Sequence, residues 1–156
     1  MADFHEKLPD WQDRLAALVR ERMDMEPGWG TNDCMTWAAD CVLAQTGVDT
    51  LAPYRGRYTT ARGALKALRQ IDRVELPIEL MDRLWGPRRH LAEAMHGDLV
   101  VVDGLSVPFD LGPSVGLCYG ARSLFVGTGD DGDGLVRLDT LTLEHCYRPW
   151  ASSSRQ

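Results

Sequence analysis

One short segment of the sequence carries residue types that suit nucleophilic chemistry, Trp29-Gly30-Thr31-Asn32-Asp33-Cys34. A glycine-containing turn delivers Cys34 to the start of a predicted helix, where unpaired backbone N–H groups and the positive helix end face the sulfur. Both effects favour the thiolate, which is the nucleophilic form of cysteine, whereas the charge of Asp33 opposes it. The competing interpretation is that Cys34 is a small buried apolar side chain.

A cysteine hydrolase also needs a base that takes the thiol proton and returns it to the leaving amine. The chain has four histidines. We expect His5, in the charged N-terminal stretch, to be exposed to solvent. His90, His96 at the entry to the first predicted strand and His145 at the entry to the last are candidate bases. For each of them, an exposed or core-packed imidazole is the default interpretation, and His96 and His145 are the stronger substitutes.

The remaining metal and disulfide patterns are weak. No C-x-x-C pair occurs, so a zinc site is not expected, and the chain is long enough to fold without a disulfide scaffold. The acidic segment Asp130–Gly134 has the composition of a calcium loop but lacks its alternating spacing and its glutamate. We therefore expect no metal and no cofactor, and we interpret three of the cysteines as small core residues: Cys41, Cys118 and Cys146.

Length and charge exclude several classes of protein. The 156 residues carry 17 basic and 23 acidic side chains, a net charge of −6, and 44% are hydrophobic. These values predict one globular domain and argue against nucleic-acid binding. The apolar runs are too short to cross a bilayer, so we expect no membrane insertion. The charged N-terminus shows no apolar core of a signal peptide.

The elements that must position Cys34 follow from periodicity and turn residues. Apolar spacing predicts helices over 10–25, from Asp33 or Cys34 to 45–46, over 61–70 and after Pro77. The second helix is apolar almost all round, so we expect it to be the buried central one, ended by Gly47. We expect short strands near 98–103, 115–119, 123–126, 135–138 and 146–148.

Strands this short and this closely linked should pair antiparallel. Helices followed by an antiparallel sheet of about five strands define an α+β fold. We expect an N-terminal arm over 1–9, one domain over 10–150 and a flexible tail over 151–156.

Three of these segments, in this order, resemble the papain-like cell-wall cysteine peptidases of the NlpC type. Those peptidases carry a helix-borne Asp-Cys, a "PGDLVFF" strand and a "HVGIYLG" strand, similar here to Asp33-Cys34, 97–102 and 115–120. More narrowly, the chain resembles a family of unknown function from phage and prophage tail modules, to which tail peptidases of gene transfer agents are similar. Segments 46–49, 55–58 and 147–150 also match, and the resemblance covers about residues 10–150.

The resemblance implies a papain-like core in which Cys34 holds the position of the nucleophile. Trp29 and Asp33 fall in the substrate groove beside it. The family's base is the histidine that opens the "HVGIYLG" strand, and Ser114 stands at that position. The third, orienting residue falls within 125–128, where the sequence has neither histidine nor asparagine. Serine cannot serve as the base near pH 7, so Cys34 is an actual or a vestigial nucleophile.

The resemblance therefore implies a component of a phage tail tip or baseplate, a pseudoenzyme that acts in tail assembly or hub attachment. Its partners would be other tail proteins, the hub or tip protein first, and its location the virion, after assembly in the host cytoplasm. The alternative is an active cysteine peptidase or amidase that cleaves peptidoglycan peptides during phage DNA entry. The retained Asp33-Cys34 pair favours this second hypothesis, and the absent histidine favours the first.

Overall fold

Helices occupy the first half of the chain and an antiparallel sheet the second, in a computed structural model that describes residues 4–103, 111–129 and 132–151. The helices within this part are α1 (Trp11–Arg22), α2 (Cys34–Thr46), α3 (Ala61–Ile71) and α4 (Pro77–Trp85). The strands are β1 (Leu99–Val102), β2 (Ser114–Tyr119), β3 (Arg122–Gly129), β4 (Gly132–Asp139) and β5 (His145–Tyr147). Three short 3-10 helices lie at Ala52–Tyr54, Leu91–Glu93 and Thr140–Thr142. The predicted α+β class and antiparallel five-strand sheet are confirmed.

The sheet has the order β4-β3-β2-β1-β5, so β1 and β2 form its centre. Val101 of β1 faces Val115 of β2 on one side and His145 of β5 on the other. The pairing between β2 and β3 runs only from Leu117↔Leu124 to Tyr119↔Arg122. The start of β2 therefore lies beyond the paired part of β3.

Helix α2 is the central helix, as its apolar sequence predicts. It packs against α1 and against β2, and most of its side chains are buried. The indole N–H of Trp37 donates to the backbone oxygen of Leu124 at 3.0 Å, which ties the helix to the sheet. Gly47 ends the helix in the left-handed conformation, with φ of 79°, which an L side chain adopts only with strain.

The two faces of the sheet are covered differently. Side chains of one face, among them Val101, Val115 and Leu117, join the main core with the helices. The other face carries a smaller cluster around Val100 and Phe125, covered by the 3-10 segments and their flanks. Because successive residues of a strand point to opposite faces, each position of β2 is assigned to one of these two environments.

Several predicted boundaries differ from the structure. Helix α1 begins at Trp11 and ends at Arg22, and the Asp10 side chain makes no capping hydrogen bond. Strands β3 and β4 continue toward each other and shorten the predicted glycine-rich turn, of which residues 130–131 lie outside the described part. Residues 152–156 of the predicted tail also lie outside it. No helix in the described residues is long and apolar enough to cross a membrane.

Candidate functional site

The turn before α2 is held rigidly by its own polar groups. Gly30 has a φ of 81°, a conformation suited to glycine. Asn32 is 0% exposed, and its side-chain N–H groups donate to the backbone oxygens of Met25 and Glu26, each at 3.2 Å. Its Oδ1 accepts from the Arg22 guanidinium at 3.1 Å. The path of the chain into Cys34 is therefore fixed by side chains that sequence reasoning had left without a role.

Asp33 is the N-cap of α2 and is only 2% exposed. Its Oδ1 accepts from the backbone N–H of Thr36 at 2.8 Å, and the Thr36 hydroxyl accepts from the Asp33 N–H at 2.9 Å. Its Oδ2 accepts from the Gly30 N–H at 2.8 Å and from the Tyr58 hydroxyl at 2.6 Å. The two hydrogen bonds with Thr36 form a capping box, and all four together place Cys34 as the first helical residue.

A partly buried chain of charges lies behind the turn. Arg22 of α1 pairs with Asp40 of α2, and Asp40 also pairs with Arg55 at 2.6 Å. Arg55 reaches Asp49 at 3.2 Å, while the Arg22 guanidinium lies 5.9 Å from the ring centroid of Trp37. The network locks α1, α2 and the following loop together, and none of its charges faces the sulfur of Cys34.

The Cys34 thiol is held in its protonated form. Burial, followed by the negative charge of Asp33, raises the pKa of Cys34 to about 12. Hydrogen bonding from the backbone N–H groups of Val115, Cys34 and Met35 acts in the opposite direction but is outweighed. The N–H groups at the helix end favour the thiolate, as the sequence predicts, but dehydration and the charge of Asp33 outweigh them.

A narrow cavity of about 40 Å³ opens beside Cys34. Trp29 and Asp33 line it, so the structure brings together the three residues that the sequence places in one groove. The Tyr54 hydroxyl donates to Asp72 at 2.5 Å and the Tyr58 hydroxyl donates to Asp33. The remaining lining is apolar: Met35, Leu51, Ala64, Leu68, Pro77, Leu80, Leu111 and Pro113.

Ser114 is buried at the start of β2, next to the Val115 N–H that approaches the sulfur. It pairs with Val102, which packs against the smaller cluster on the face of the sheet away from α2. The alternation along β2 therefore points Ser114 to that face, while Val115 joins the main core. The start of β2 reaches Cys34 through its backbone rather than through the Ser114 side chain.

The histidines lie elsewhere, and none of the four lines the Cys34 cavity. The His96 ring packs 4.7 Å from Tyr119, at the far end of β2. His145 and Val115 both pair with Val101, on opposite sides of β1, so their backbones lie about 10 Å apart. The His145 ring packs edge-on against Tyr147. His90 accepts from the Ala92 N–H at 3.0 Å, and His5 is exposed. The structure does not bring His96 or His145 to Cys34.

This arrangement can bind an apolar group, and the described residues that line the cavity include no base that could activate the thiol. Burial and the Asp33 carboxylate raise the pKa of Tyr58 well above its ordinary value, so its hydroxyl remains a donor. Sequence reasoning missed Tyr58 and Pro113 as parts of the site. Segment 55–58 resembles the phage tail-module family in sequence, but nothing in the segment itself predicts a hydrogen bond from Tyr58 to Asp33.

One family model matches the chain over residues 6–149, and its description is a domain of unknown function, DUF6950. Neither the search of curated proteins nor the search of solved structures found a match. Among the described residues, no group of three or more histidine, cysteine, aspartate or glutamate side chains is arranged to hold a metal ion.

Proposed function

We propose that this chain, which belongs to the DUF6950 family, is a component of a phage tail tip or baseplate built on a papain-like core of the NlpC type. In this proposal the protein acts in tail assembly or in attachment to the tail hub, and its Cys34 site is a remnant of a peptidase site. The family description leaves function open, so the proposal rests on the site and on the resemblance of segments 29–34, 97–102 and 115–120.

One observation carries the proposal: no imidazole reaches the sulfur of Cys34. All four histidines of the sequence fall within the described residues, and none of them lines the cavity. Burial and the charge of Asp33 raise the pKa of Cys34 to about 12, so the thiolate is much scarcer at pH 7 than in an ordinary cysteine. A peptidase with neither base nor thiolate would lose several powers of ten in rate.

A second line of support is that the polar groups of the turn are engaged in folding. Asp33 caps a helix, Asn32 clamps the preceding loop, and the Tyr58 hydroxyl is bound to Asp33. A working hydrolase would keep polar groups free to meet the substrate and the developing oxyanion. The apolar lining that remains suits the capture of a partner's aliphatic side chain.

Catalysis is tested by incubating the protein, its Cys34→Ala variant and an active NlpC-type peptidase with peptidoglycan peptides at pH 7. The proposal predicts cleavage by the active peptidase alone. Cleavage by the wild-type chain that disappears in Cys34→Ala would establish the alternative, an active cysteine peptidase.

Assembly is tested separately in particles of a phage or prophage that encodes the chain. Immunogold labelling should place the protein at the tail tip, and a Cys34→Ala copy should restore infectivity as fully as the wild-type copy. Purified particles that contain none of the protein would contradict the structural role whatever the outcome for cleavage.

A further inference from the structure

A larger groove of about 640 Å³ lies at the other end of β2, about 17 Å along the strand from the Cys34 cavity. The N-terminal arm, the start of α1, the approach to β1 and the segment after β5 together form its walls. We call it the Lys7 groove, and its lining residues are Glu6, Lys7, Trp11, Gln12, Met95, His96, Arg148, Trp150 and Ala151.

Lys7 lies between two indole rings. Its ammonium nitrogen is 3.4 Å from the ring centroid of Trp11 and 3.9 Å from that of Trp150. The arm is anchored by the Leu8 N–H, which donates to the Gln45 backbone oxygen at 2.7 Å. The Ala151 N–H donates to the His5 backbone oxygen at 3.0 Å. The position of the ammonium is therefore set by the fold, unlike that of an ordinary surface lysine.

The positive charge of Lys7 has no bound counter-charge in the described part of the chain: no carboxylate lies within ion-pair distance and no acceptor takes its hydrogen bonds. The charge of Asp98 acts on Lys7, but this carboxylate is occupied, because both of its oxygens accept from Arg148, at 3.1 and 2.9 Å. Burial, followed by the charge of Lys7, lowers the pKa of His96, so this ring is neutral at pH 7. Glu6 is exposed at the rim.

A second unmet polar group lies next to Lys7, beside Gly97. Gln45 is 0% exposed and its Oε1 has no hydrogen-bond partner, although its amide N–H groups donate to the backbone oxygens of Cys41 and Gly97. A Cβ built on Gly97 would contact both this oxygen and the Lys7 ammonium. Among the described residues, the Gln45 oxygen and the Lys7 ammonium therefore lack hydrogen-bond partners, in contrast to the polar groups of the turn around Asp33.

The walls are aromatic and apolar. Met95 is 60% exposed, the second most exposed of the large hydrophobic side chains in the described residues. It stands at the groove beside Trp150 and His96. An ammonium without a counter-ion, set in an apolar rim, is complementary to a carboxylate that has an apolar neighbour.

We propose that the Lys7 groove binds an acidic peptide segment of a partner protein. A carboxylate of that segment accepts hydrogen bonds from the Lys7 ammonium, and an apolar residue next to it packs against Met95 and Trp150. The proposal does not depend on the state of Cys34 or on a role in a phage tail, because it rests on groups at the opposite end of β2.

The probe is the peptide acetyl-Leu-Glu-Leu-amide, and the matched ligand acetyl-Leu-Gln-Leu-amide differs only in charge. Binding is followed by NMR shifts of the indole N–H signals of Trp11 and Trp150 at pH 7. We expect the glutamate peptide to bind about tenfold more tightly than the glutamine peptide. The preference should fall as the pH rises through 8, because burial lowers the pKa of Lys7 to about 8.

Two matched variants test whether the preference for the glutamate peptide depends on Lys7. Lys7→Gln should remove the preference for the glutamate peptide, and Lys66→Gln, on the exposed side of α3, should leave it unchanged. Equal affinity for the two peptides in the wild-type protein, or no shift with either at about 10 mM, would overturn the proposal. These two outcomes are read from the unmodified protein, so they hold even where Lys7→Gln fails to fold.

Discussion

The two ends of β2 differ in how completely the chain satisfies its own polar groups. At the Cys34 end, Asp33 and Asn32 are buried and each makes several hydrogen bonds. At the Lys7 end, an ammonium lies between two indole rings, and the described residues supply neither a counter-ion for it nor a partner for the nearby oxygen of Gln45. The first end has the residues of a catalytic motif but the hydrogen bonding of a structural turn. The second end matches no motif, and its Lys7 ammonium and Gln45 oxygen can still form hydrogen bonds with a ligand.

The difference indicates that a sequence motif and unmet polar groups that could bind a ligand can lie in different parts of one molecule. Trp29, Asp33 and Cys34 meet where their order predicts, but the chemistry of the cysteine depends on its burial as well as on the adjacent Asp33. Lys7 drew no attention in the sequence, because one lysine in a charged arm looks solvated. Substitutions at the Cys34 end should therefore affect the stability of the fold most, and substitutions at the Lys7 end should affect binding most.

The largest effect on stability is expected from Asp33→Ala. This change removes the cap of α2 and leaves the buried donors of Gly30, Thr36 and Tyr58 without an acceptor, which should lower the free energy of unfolding by about 3 kcal/mol. Urea unfolding measures it. Asp33→Asn is the matched control, because it retains an accepting oxygen and should cost less.

The same two variants sharpen the account of the thiol. Since the charge of Asp33 raises the pKa of Cys34, both changes should lower that pKa and increase alkylation of Cys34 at pH 9 in molecules that remain folded.

The stability prediction has its own contrary outcome. If Asp33→Ala were as stable as the wild-type chain, the capping box would not hold the turn in place.

A smaller effect is expected from Lys7→Gln, and it depends on pH. Burial lowers the pKa of Lys7 from 10.5 to about 8, so the unfolded chain binds more protons between these values. The free energy of unfolding of the wild-type chain should therefore rise relative to that of Lys7→Gln as the pH increases from 8 to 10.5. The rise should be about 1 kcal/mol, since Lys7 is only partly buried and solvent screens its charge.

Chemical denaturation at pH 7, 8, 9 and 10 measures this difference. The Lys66→Gln variant should show none of it, because Lys66 is exposed. A difference that stayed flat over this range would show that the Lys7 ammonium is as well solvated as a surface lysine.

Much of the fold could be predicted from the sequence, because its signals are local. Gly47 marks the end of α2 by turn chemistry, and the apolar run after Asp98 marks β1. The lengths of β3 and β4 could not be predicted, because the sequence around Thr128 and Asp133 is typical of a turn. These residues are part of the strands because they pair with each other. Pairing is a tertiary effect that the composition of one segment does not reveal.

The site could be predicted only in part. The neighbourhood of Trp29, Asp33 and Cys34 follows from their adjacency at a helix start. The charge of Asp33 beside Cys34 is visible in the sequence, but the burial that dominates the pKa of the thiol is not, and the Lys7 groove depends on residues 7 and 150 meeting across the fold. That burial and the groove arise from contacts between distant parts of the chain, for which no local pattern exists.

The central claim is that Cys34 is not an activated nucleophile, and the pH dependence of its alkylation tests this most directly. Iodoacetamide labelling of the native protein is followed by mass spectrometry of the peptide that contains Cys34, with Cys34→Ala as the blank. We predict slow labelling that rises only well above pH 9, in accord with a pKa of Cys34 near 12. Rapid labelling at pH 7 with a midpoint below about 8 would contradict the account.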